Sequence, residues 1–253
     1  MSNNTAERVS LKDVNNYVFQ RCFKAYHEIK SIVKGNVLEI GTGEGYGVET
    51  IAPLVDKLTT IDQFESGVDF TKFNNVEFVK MTVPTLKFED NTFDFVFSFQ
   101  VIEHIEDDKE YLKEISRVLK PGGKFICSTP NIKTTLSRNP WHIREYKKEE
   151  LKDLMLNYFS SVDTKGVHGN EKVMEYYNKN KENVNKIMRF DIFNLQYRLP
   201  RKSLQWIYDY MNDRNRSKMH KKDNTLSASI TTDDFFVQEV NDESLDLFYI
   251  AEK

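Results

Sequence analysis

The sequence of 253 residues predicts an α/β fold in which helices cover both faces of a doubly wound, mostly parallel sheet. Three observations predict it. Short apolar runs alternate with segments of helical periodicity, the first run flows into a glycine-rich turn at Gly41, and the second run closes on Asp62. Alternation of this kind is typical of parallel sheets, whose ligands lie beyond the carboxyl ends of the strands. We therefore expect Gly41 and Asp62 at one binding crevice.

The individual elements follow from periodicity, taken in chain order. Apolar positions at three- and four-residue spacing predict an amphipathic first helix over residues 11–33. β-Branched and aromatic runs predict strands near 36–41, 58–62, 76–80, 93–99, 122–129, 159–167 and 245–251. Further helices are predicted from Tyr46, over 107–119 and over 147–157. The helix over 107–119 should end before Lys120-Pro121-Gly122-Gly123, because proline and glycine stop a helix.

A long segment, residues 168–242, separates the last two predicted strands, where a compact fold needs only a tight connection. Insertions of this length are usually functional or disordered. Large apolar side chains argue against disorder here: Ile187, Met188, Phe190, Ile192, Phe193, Leu195, Tyr197, Leu199, Leu204, Trp206, Ile207, Tyr208, Tyr210 and Met211. We predict a helical lid over 168–242 and a core domain made of 1–167 and 243–253.

The glycine turn reads V-L-E-I-G-T-G-E-G-Y-G over residues 37–47 and predicts close approach of backbone to a nucleotide-like ligand. Dinucleotide-binding turns use the spacing G-x-G-x-x-G, whose third glycine would fall at Tyr46. Asp62 follows the first glycine by about twenty residues, where an acid can accept hydrogen bonds from ribose hydroxyls. A glycine-rich turn alone does not identify the cofactor, so the identification depends on the segments that follow.

Residues 88–131 contain F-D-F-V-F-S, then V-I-E-H-I, then L-K-P-G-G before a fifth strand. Together with the E-x-G-x-G-x-G turn, they resemble class I S-adenosylmethionine-dependent methyltransferases, in particular the type 11 small-molecule family with its ubiquinone-biosynthesis O-methyltransferases. The resemblance implies a Rossmann-like, seven-stranded sheet with an antiparallel last strand. It implies S-adenosylmethionine as cofactor and S-adenosylhomocysteine as product. The resemblance does not indicate which molecule accepts the methyl group.

The resemblance also implies roles for residues at the strand ends. The glycine turn would pack against the methionine part of the cofactor, Glu39 would orient its ammonium group, and Asp62 would accept both ribose hydroxyls. The acid that binds the adenine amino group in the family is Thr82 here, and a neutral hydroxyl is a weaker acceptor. The expected cofactor-binding residues are Glu39, Gly41, Thr42, Gly43, Gly45, Asp62, Gln63, Thr82, Val83, Phe99 and Gln100.

Glu103, His104 and His142 offer two kinds of chemistry. An E-x-x-E-H pattern with a later histidine resembles the metal set of the small-RNA 3′-end 2′-O-methyltransferases, and a similar pattern occurs in the ubiquinone-biosynthesis enzymes. The first acid is Gln100 in this chain, so one anionic ligand is missing and no metal is predicted. A hydroxyl acceptor must lose a proton, which histidine accepts near neutral pH. His104 and His142 are therefore the predicted catalytic residues.

The predicted substrate-binding residues are Tyr146, beside the His142 segment, and Tyr197 and Trp206 in the lid. Residues 198–222 carry eight basic and two acidic side chains with aromatic residues between them. This pattern fits a solvated helix face, an anionic acceptor, RNA or a membrane surface. The sequence therefore also allows peripheral membrane contact through residues 186–222.

Composition narrows the class of function. The formal net charge of −3 gives no global attraction to nucleic acid. No apolar run reaches the roughly 18 residues of a membrane span, and the polar N-terminus has no apolar signal core. Cys22 and Cys127 fit reduced core thiols better than a disulfide. We expect a cytoplasmic enzyme, with its oligomeric state left open.

The favoured function is S-adenosylmethionine-dependent methyl transfer to a small-molecule acceptor. O-methylation is preferred, and N-methylation stays open. One alternative is a metal-assisted RNA 2′-O-methyltransferase, although nucleic acid is not the expected partner. The other is a catalytically silent cofactor-binding subunit that docks a partner through the lid.

Overall fold

The computed structural model describes residues 15–189, 195–222 and 224–253. Its strands are β1 (Asn36–Ile40), β2 (Lys57–Asp62), β3 (Val76–Lys80), β4 (Phe93–Phe99), β5 (Leu119–Pro130), β6 (Ser161–Gly169), β7 (Phe235–Glu239) and β8 (Asp246–Glu252). Within the described residues these eight strands form one sheet in the order β3-β2-β1-β4-β5-β8-β6-β7. Strands β1 to β5 pair in parallel, whereas β8 and β7 run antiparallel to their neighbours.

Helices cover both faces of this sheet, as the sequence predicts. They are α1 (Asn16–Ile29), α2 (Tyr46–Ile51), α3 (Asp108–Val118), α4 (Lys148–Met155), α5 (Glu171–Met188), α6 (Leu195–Arg198), α7 (Arg201–Lys222) and α8 (Asn224–Ser229). One buried cluster joins Ile29 of α1 and Val48 of α2 to the sheet, and a second joins Ile115 of α3 and Leu151 of α4 to its other face. Burial of these apolar side chains holds the three layers together.

The sheet has eight strands, whereas the resemblance implied seven. The additional strand, β7, lies inside the predicted lid segment and pairs with the outer edge of β6 from Gly169↔Phe235 to Lys165↔Glu239. An uncovered edge presents unpaired backbone N–H and C=O groups, which β7 satisfies for β6. The segment 168–242 is therefore not helical throughout. The antiparallel last strand, β8, is confirmed.

Element boundaries differ from the prediction at a few places. The predicted first helix began at residue 11, but residues 11–14 lie outside the described part of the chain, and α1 ends at Ile29. Helix α3 ends at Val118 as expected, and the following Lys-Pro-Gly-Gly segment belongs to β5, with Gly122 at φ 75°. Phe190, Ile192 and Phe193 of the predicted lid lie outside the described residues.

Both cysteines are free thiols, Cys22 half-buried and Cys127 buried. Burial raises the pKa of Cys22 to about 12 and that of Cys127 further, so both stay protonated near neutral pH. None of the helices in the described part of the chain combines the length and the apolar character that a bilayer crossing requires.

Candidate active site

The turn between β1 and α2 requires glycine for its conformation and for space. Gly41, Gly43 and Gly45 have φ values of 97°, 53° and 85°, in the left-handed region. A Cβ added at Gly41 would lie 2.7 Å from Val101 Cγ2, and one added at Gly45 would overlap Val68. Larger residues are therefore excluded from both positions, and the turn exposes backbone at the carboxyl end of β1.

Asp62 closes β2 and braces this turn. Its Oδ2 accepts from the Gly43 N–H at 3.0 Å, and its Oδ1 accepts from the Phe64 N–H at 2.9 Å. The Gly41 N–H donates to the Ile61 carbonyl at 2.8 Å. The structure thus brings Gly41, Gly43 and Asp62 together at the strand ends, where the sequence placed the cofactor crevice.

Glu39 lies beneath the glycine turn. Its Oε1 accepts from the Tyr26 hydroxyl at 3.0 Å and its Oε2 accepts from the Thr60 hydroxyl at 2.6 Å, while the Thr42 and Thr60 hydroxyls are 2.7 Å apart. Burial raises the pKa of Glu39 to about 7, although the hydrogen bonds from Thr60 and Tyr26 counteract it. Glu39 and Thr42 support the turn through these contacts. A bond from Glu39 to the ammonium group of the cofactor stays a prediction.

The predicted adenine-side residues lie at the outer end of β2 and β3. The Met81 N–H donates to the Asp62 carbonyl at 2.9 Å and so fixes the segment after β3 beside β2. Gln63 and Thr82 are exposed there, and Val83 is half-buried. Their contact with an adenine ring stays a prediction.

Phe99 and Gln100 mark the end of β4. Phe99 is buried with its ring edge-on to Tyr26, at a centroid distance of 4.9 Å. Gln100 has φ 57°, a left-handed conformation that non-glycine residues adopt rarely and that clusters at functional sites. Its N–H donates to the Ser128 carbonyl at 2.8 Å, and its side-chain amide donates to the Ser128 hydroxyl at 3.4 Å. Gln100 is thus held at the strand tip with restricted freedom.

A cavity of about 500 Å³ lies beyond the ends of β4 and β5, under α5 and α7. Volumes of this size hold small organic ligands. Gln100 belongs to its wall. Helices α5 and α7 supply aliphatic and thioether groups from Val184, Ile187, Met188, Leu204, Ile207 and Met211, and polar groups from Asn180, Asn212, Asn215 and Arg216. The cavity therefore has a largely apolar roof with polar groups at one side, and further polar side chains gather at the strand ends.

Glu103 is the most buried of those polar side chains, only 1% exposed, yet it lies on the cavity wall. Its Oε2 accepts from the Thr129 hydroxyl at 2.9 Å, and its Oε1 has no hydrogen-bond partner among the described residues. Burial raises the pKa of Glu103, and the nearby His104 and His142 act in the opposite direction. A buried acceptor of this kind favours a ligand that offers a proton or a positive charge.

His142 is held by a carboxylate on one side of its ring. Its Nδ1 lies 2.6 Å from Glu145 Oε1, and its Nε2 lies 2.8 Å from Asn139 Nδ2. Because an ionised carboxylate only accepts, Nδ1 carries the hydrogen, and in the neutral ring Nε2 accepts from the Asn139 amide. Glu145 is itself fixed by the Thr135 hydroxyl, which donates to Oε2 at 2.5 Å. In this arrangement Nε2 is the acceptor nitrogen of the neutral His142 ring, and the Asn139 amide donates to it.

His104 completes the polar cluster. Its ring centroid lies 5.0 Å from that of His142, and its Nδ1 lies 3.1 Å from the Trp141 carbonyl oxygen, to which it donates. One ligand atom from each of Glu103, His104 and His142 lies within 4.8 Å of the other two. A carboxylate and two imidazoles are a usable set for a first-row divalent metal. The Trp141 carbonyl at His104 Nδ1 and Glu145 at His142 Nδ1 fix the two rings, as carbonyl and carboxylate partners do for metal-binding histidines.

Sequence reasoning missed several residues of this site. Glu145 and Asn139 hold His142, and the H-x-x-E spacing from His142 to Glu145 is the signal that could have indicated the pair. The pairing of Arg21 with Asp246 was not predicted either, and Arg21 Nε lies 3.2 Å from that buried carboxylate. Asp246 is more than 200 residues away in sequence, and no local pattern relates the two.

The three predicted substrate-binding residues lie elsewhere than on the cavity wall. Tyr146 is 1% exposed, and its hydroxyl donates to buried Asp108 at 2.8 Å, so it is a core residue. Tyr197 is 66% exposed and lies against the Arg138 guanidinium, 5.7 Å from its ring centroid. Trp206 is 75% exposed because it points away from the cavity, on the opposite side of α7 from the lining residues.

Known proteins show the same combination of motif and fold. Residues 38–127 match the type 11 family model, described as a methyltransferase domain. A protein of Mycolicibacterium smegmatis named a probable S-adenosylmethionine-dependent methyltransferase is 37% identical over 165 residues, which are 61% of this chain and 64% of that protein. A ubiquinone biosynthesis O-methyltransferase of Rickettsia bellii is 28% identical over 122 residues, 46% of this chain and 49% of that protein.

The matched region thus spans less than two thirds of the length of these curated relatives. A solved SAM-dependent methyltransferase of Thermotoga maritima superimposes with a TM-score of 0.58 at 18% identity, over 94% of this chain and 91% of that one. At that identity the likeness concerns the fold. The family model covers the glycine turn, Asp62 and β4, so residues 38–127 match a methyltransferase domain of the type 11 family, and the Mycolicibacterium smegmatis relative is named a probable S-adenosylmethionine-dependent methyltransferase.

Proposed function

We propose that the protein transfers a methyl group from S-adenosylmethionine to a hydroxyl oxygen of a small organic acceptor. The observation that carries this proposal is the common cavity of Gln100, at the tip of β4, and the His142–Glu145 pair. Gln100 is a predicted cofactor-binding residue on the wall of this cavity. The histidine presents a proton acceptor to the same space. The name of the Rickettsia bellii relative, an O-methyltransferase, supports oxygen as the acceptor atom.

The cofactor supplies an activated methyl group when bound. The residues that would hold it are Gly41, Gly43 and Asp62 at the strand ends, with Glu39 beneath them. Methyl transfer is an in-line displacement, so alignment of acceptor and methyl accounts for much of the acceleration, up to about 7–11 kcal/mol in oriented systems. The chain provides this alignment through the rigid tip of β4 and through the roof of α5 and α7, which excludes water.

His142 accepts the proton that the hydroxyl loses. Its Nε2 now lies 2.8 Å from the Asn139 amide, and an acceptor hydroxyl would take the place of that donor. Glu145 holds Nδ1–H at 2.6 Å and stabilises the imidazolium that forms. His104 is a neighbour of this base. The apolar roof selects an acceptor whose body is aliphatic or aromatic and whose reacting hydroxyl lies at the polar end.

The role of the His142–Glu145 pair in proton transfer can be tested by replacing the Glu145 carboxylate. Glu145→Gln keeps the size of the side chain but loses a charge-assisted hydrogen bond of about 1.5–3 kcal/mol, so kcat should fall about tenfold to a hundredfold. The acceptor is found by mass spectrometry of extracts incubated with methyl-labelled cofactor. Exposed Glu149→Gln is the control. An unchanged kcat and pH profile in Glu145→Gln, or a methylated amine as product, would contradict hydroxyl activation by His142.

A second candidate function is metal-assisted 2′-O-methylation of RNA, favoured by the 4.8 Å cluster of Glu103, His104 and His142. Adding a metal chelator distinguishes this candidate from metal-independent methylation with His142 as the base. Metal-independent turnover supports the base mechanism. Loss of turnover on chelation, restored by Mg²⁺ or Mn²⁺, together with methylation of an RNA oligonucleotide, supports the second candidate. Binding of S-adenosylhomocysteine without methyl transfer to any extract component would instead indicate a silent cofactor-binding subunit.

A further inference from the structure

The side of α7 that faces away from the cavity carries an ordered set of exposed residues. Lys202, Trp206, Tyr210 and Arg214 follow one another at four-residue spacing, which places them on one line along the helix. We call this set the outer stripe. All four are exposed, Trp206 by 75% and Tyr210 by 55%. The stripe is about 18 Å long at 1.5 Å per residue.

The two aromatic rings of the outer stripe are stacked on each other, with centroids 6.3 Å apart and planes 13° apart. Together they form one continuous apolar patch with polar edges. Tryptophan and tyrosine prefer the headgroup level of a bilayer, because their rings are apolar and their N–H and O–H groups stay wet. A basic residue lies at each end of the patch, where its ammonium or guanidinium group would reach phosphate.

Charge in this part of the chain has one dominant sign. Residues 198–222 contain eight basic and two acidic side chains, in a chain whose overall formal charge is −3. One of the two acids, Asp209, is engaged inward, where it accepts from Trp141 Nε1 at 2.9 Å. Arg201 and Arg216 are engaged as well, with the Pro140 carbonyl at 3.3 Å and the Asn15 side chain at 2.7 Å. The outer stripe itself contains Lys202 and Arg214 and no acidic residue, so its charge favours an anionic partner.

The inner side of the same helix decides between anionic partners. Leu204, Ile207 and Met211 of α7 form part of the apolar cavity roof. A helix with an apolar cavity on one side and a basic-aromatic stripe on the other is suited to a lipid surface, from which an apolar acceptor can enter beneath it. This part of the argument rests on the proposed function. The observations on the outer stripe and on its charge are independent of the proposed function.

We propose that the outer stripe of α7 docks the protein onto an anionic phospholipid surface. Trp206 and Tyr210 enter the headgroup region, and Lys202 and Arg214 contact lipid phosphates. The aromatic pair supplies apolar burial, and the basic residues supply preference for negatively charged lipid.

Vesicle cosedimentation tests the proposal without any methyl acceptor. The full chain should sediment with vesicles of phosphatidylcholine and phosphatidylglycerol, and less with phosphatidylcholine alone. Trp206→Ala/Tyr210→Ala should lower the partition coefficient at least tenfold. Lys202→Gln/Arg214→Gln should lower it about thirtyfold at low salt, from about 1 kcal/mol for each basic residue near the surface, and less at high salt.

Matched controls lie far from α7. Lys87→Gln/Lys152→Gln removes two exposed basic residues, and Leu156→Ala removes an exposed apolar one. Neither should change vesicle binding. Affinity for S-adenosylhomocysteine, measured by calorimetry, should be the same in all variants and shows that each has folded.

Equal sedimentation with neutral and anionic vesicles would overturn the proposal, as would equal losses in the stripe and control variants. Binding of single-stranded RNA that the stripe variants lose, without any vesicle binding by the parent, would also overturn it and assign the stripe to nucleic acid. If methyl transfer fails while vesicle binding behaves as described, the docking proposal stands and the proposed function is wrong.

Discussion

Two carboxylates at neighbouring strand ends have different environments and therefore different chemistry. Asp62 lies half-buried at the tip of β2 and accepts from two backbone N–H groups. Glu39 is buried one strand away and accepts from the Tyr26 and Thr60 hydroxyls. Backbone donors orient Asp62 for a ligand at the crevice, whereas the burial of Glu39 disfavours its charged form. The first residue is suited to ligand contact and the second to support.

Asp62→Ala should weaken the binding of S-adenosylhomocysteine by about 2–4 kcal/mol, because two charge-assisted ribose contacts are lost. Part of the effect will come from the Gly43 N–H, which loses its acceptor. Isothermal calorimetry measures the change, with exposed Asp56→Ala as control. The same affinity in Asp62→Ala and the parent would exclude Asp62 from the cofactor site.

The raised pKa of Glu39 predicts that the stability of the folded protein depends on pH. Its folded pKa of about 7 lies above the ordinary 4.5, so the folded protein keeps a proton that the unfolded chain releases between these values. The free energy of unfolding therefore falls as pH rises from 4.5 to 7 and is constant above, a loss on the order of 3 kcal/mol. Glu39→Gln, which cannot titrate, should lack this component in urea unfolding. The control Glu77→Gln, at an exposed position, should retain the pH-dependent component. If the free energy of unfolding changes with pH in the same way in the parent and in Glu39→Gln, Glu39 is not the group responsible.

At the scale of elements, the loop between β5 and α4, which carries His142, is bonded to α5 and α7. The Trp141 indole donates to Asp209 on α7, and the Tyr177 hydroxyl on α5 donates to the Thr134 carbonyl at 3.0 Å. His142 follows Trp141 directly. Two hydrogen bonds therefore connect the segment that carries His142 to the helices over the cavity.

Trp141→Phe should uncouple this loop from α7, since phenylalanine cannot donate to Asp209. Loss of one hydrogen bond to a charged group, about 1.5–3 kcal/mol, should raise the acceptor KM about tenfold or more in steady-state kinetics and speed proteolysis within α7. Affinity for S-adenosylhomocysteine should not change. Trp206→Phe alters the chain's other tryptophan and should leave KM unchanged in the absence of lipid. Equal KM values for Trp141→Phe and the parent would show that the hydrogen bond does not control the cavity.

At the scale of the whole molecule, the segment 168–242 is divided between sheet and lid. Its end supplies β7 to the sheet, and the start of α5 belongs to the core, where Tyr176 stacks on Tyr17 at 4.6 Å. The Asn16 side chain donates to carbonyls of Ser227 and Ile230 after α7. The lid proper is therefore the second half of α5 with α6 and α7, and both of its attachments are anchored to α1.

Replacing residues 180–223 with a short glycine-serine linker should separate binding from transfer. None of the predicted cofactor-binding residues lies in this part, so the affinity for S-adenosylhomocysteine should stay within about tenfold of the parent, a change below about 1.4 kcal/mol. Methyl transfer should be lost, because the apolar roof of the cavity is removed. The matched control is a linker of the same composition inserted in the exposed turn at Asn91. Full activity toward the identified acceptor would show that the replaced part is an interaction surface.

The sequence by itself determined the features that local chemistry specifies. Left-handed φ angles require Gly41, Gly43 and Gly45, and the alternation of apolar runs requires a layered α/β fold, so both could be predicted from pattern alone. The same holds for Asp62, since the ends of adjacent parallel strands meet at one edge of the sheet. The large apolar side chains of residues 168–242 predicted a helical segment, and α5, α6 and α7 are helices.

Only the tertiary structure decided which side chains face the cavity. Trp206 and Met211 stand on the same helix, and the packing direction of α7 places one in solvent and the other in the roof. Tyr146 is aromatic and adjacent to the His142 segment, yet its hydroxyl is turned to Asp108 in the core. Pairing of β7 with β6 and of Arg21 with Asp246 joins residues far apart in sequence. Such contacts depend on how whole elements pack, which no short stretch of sequence encodes.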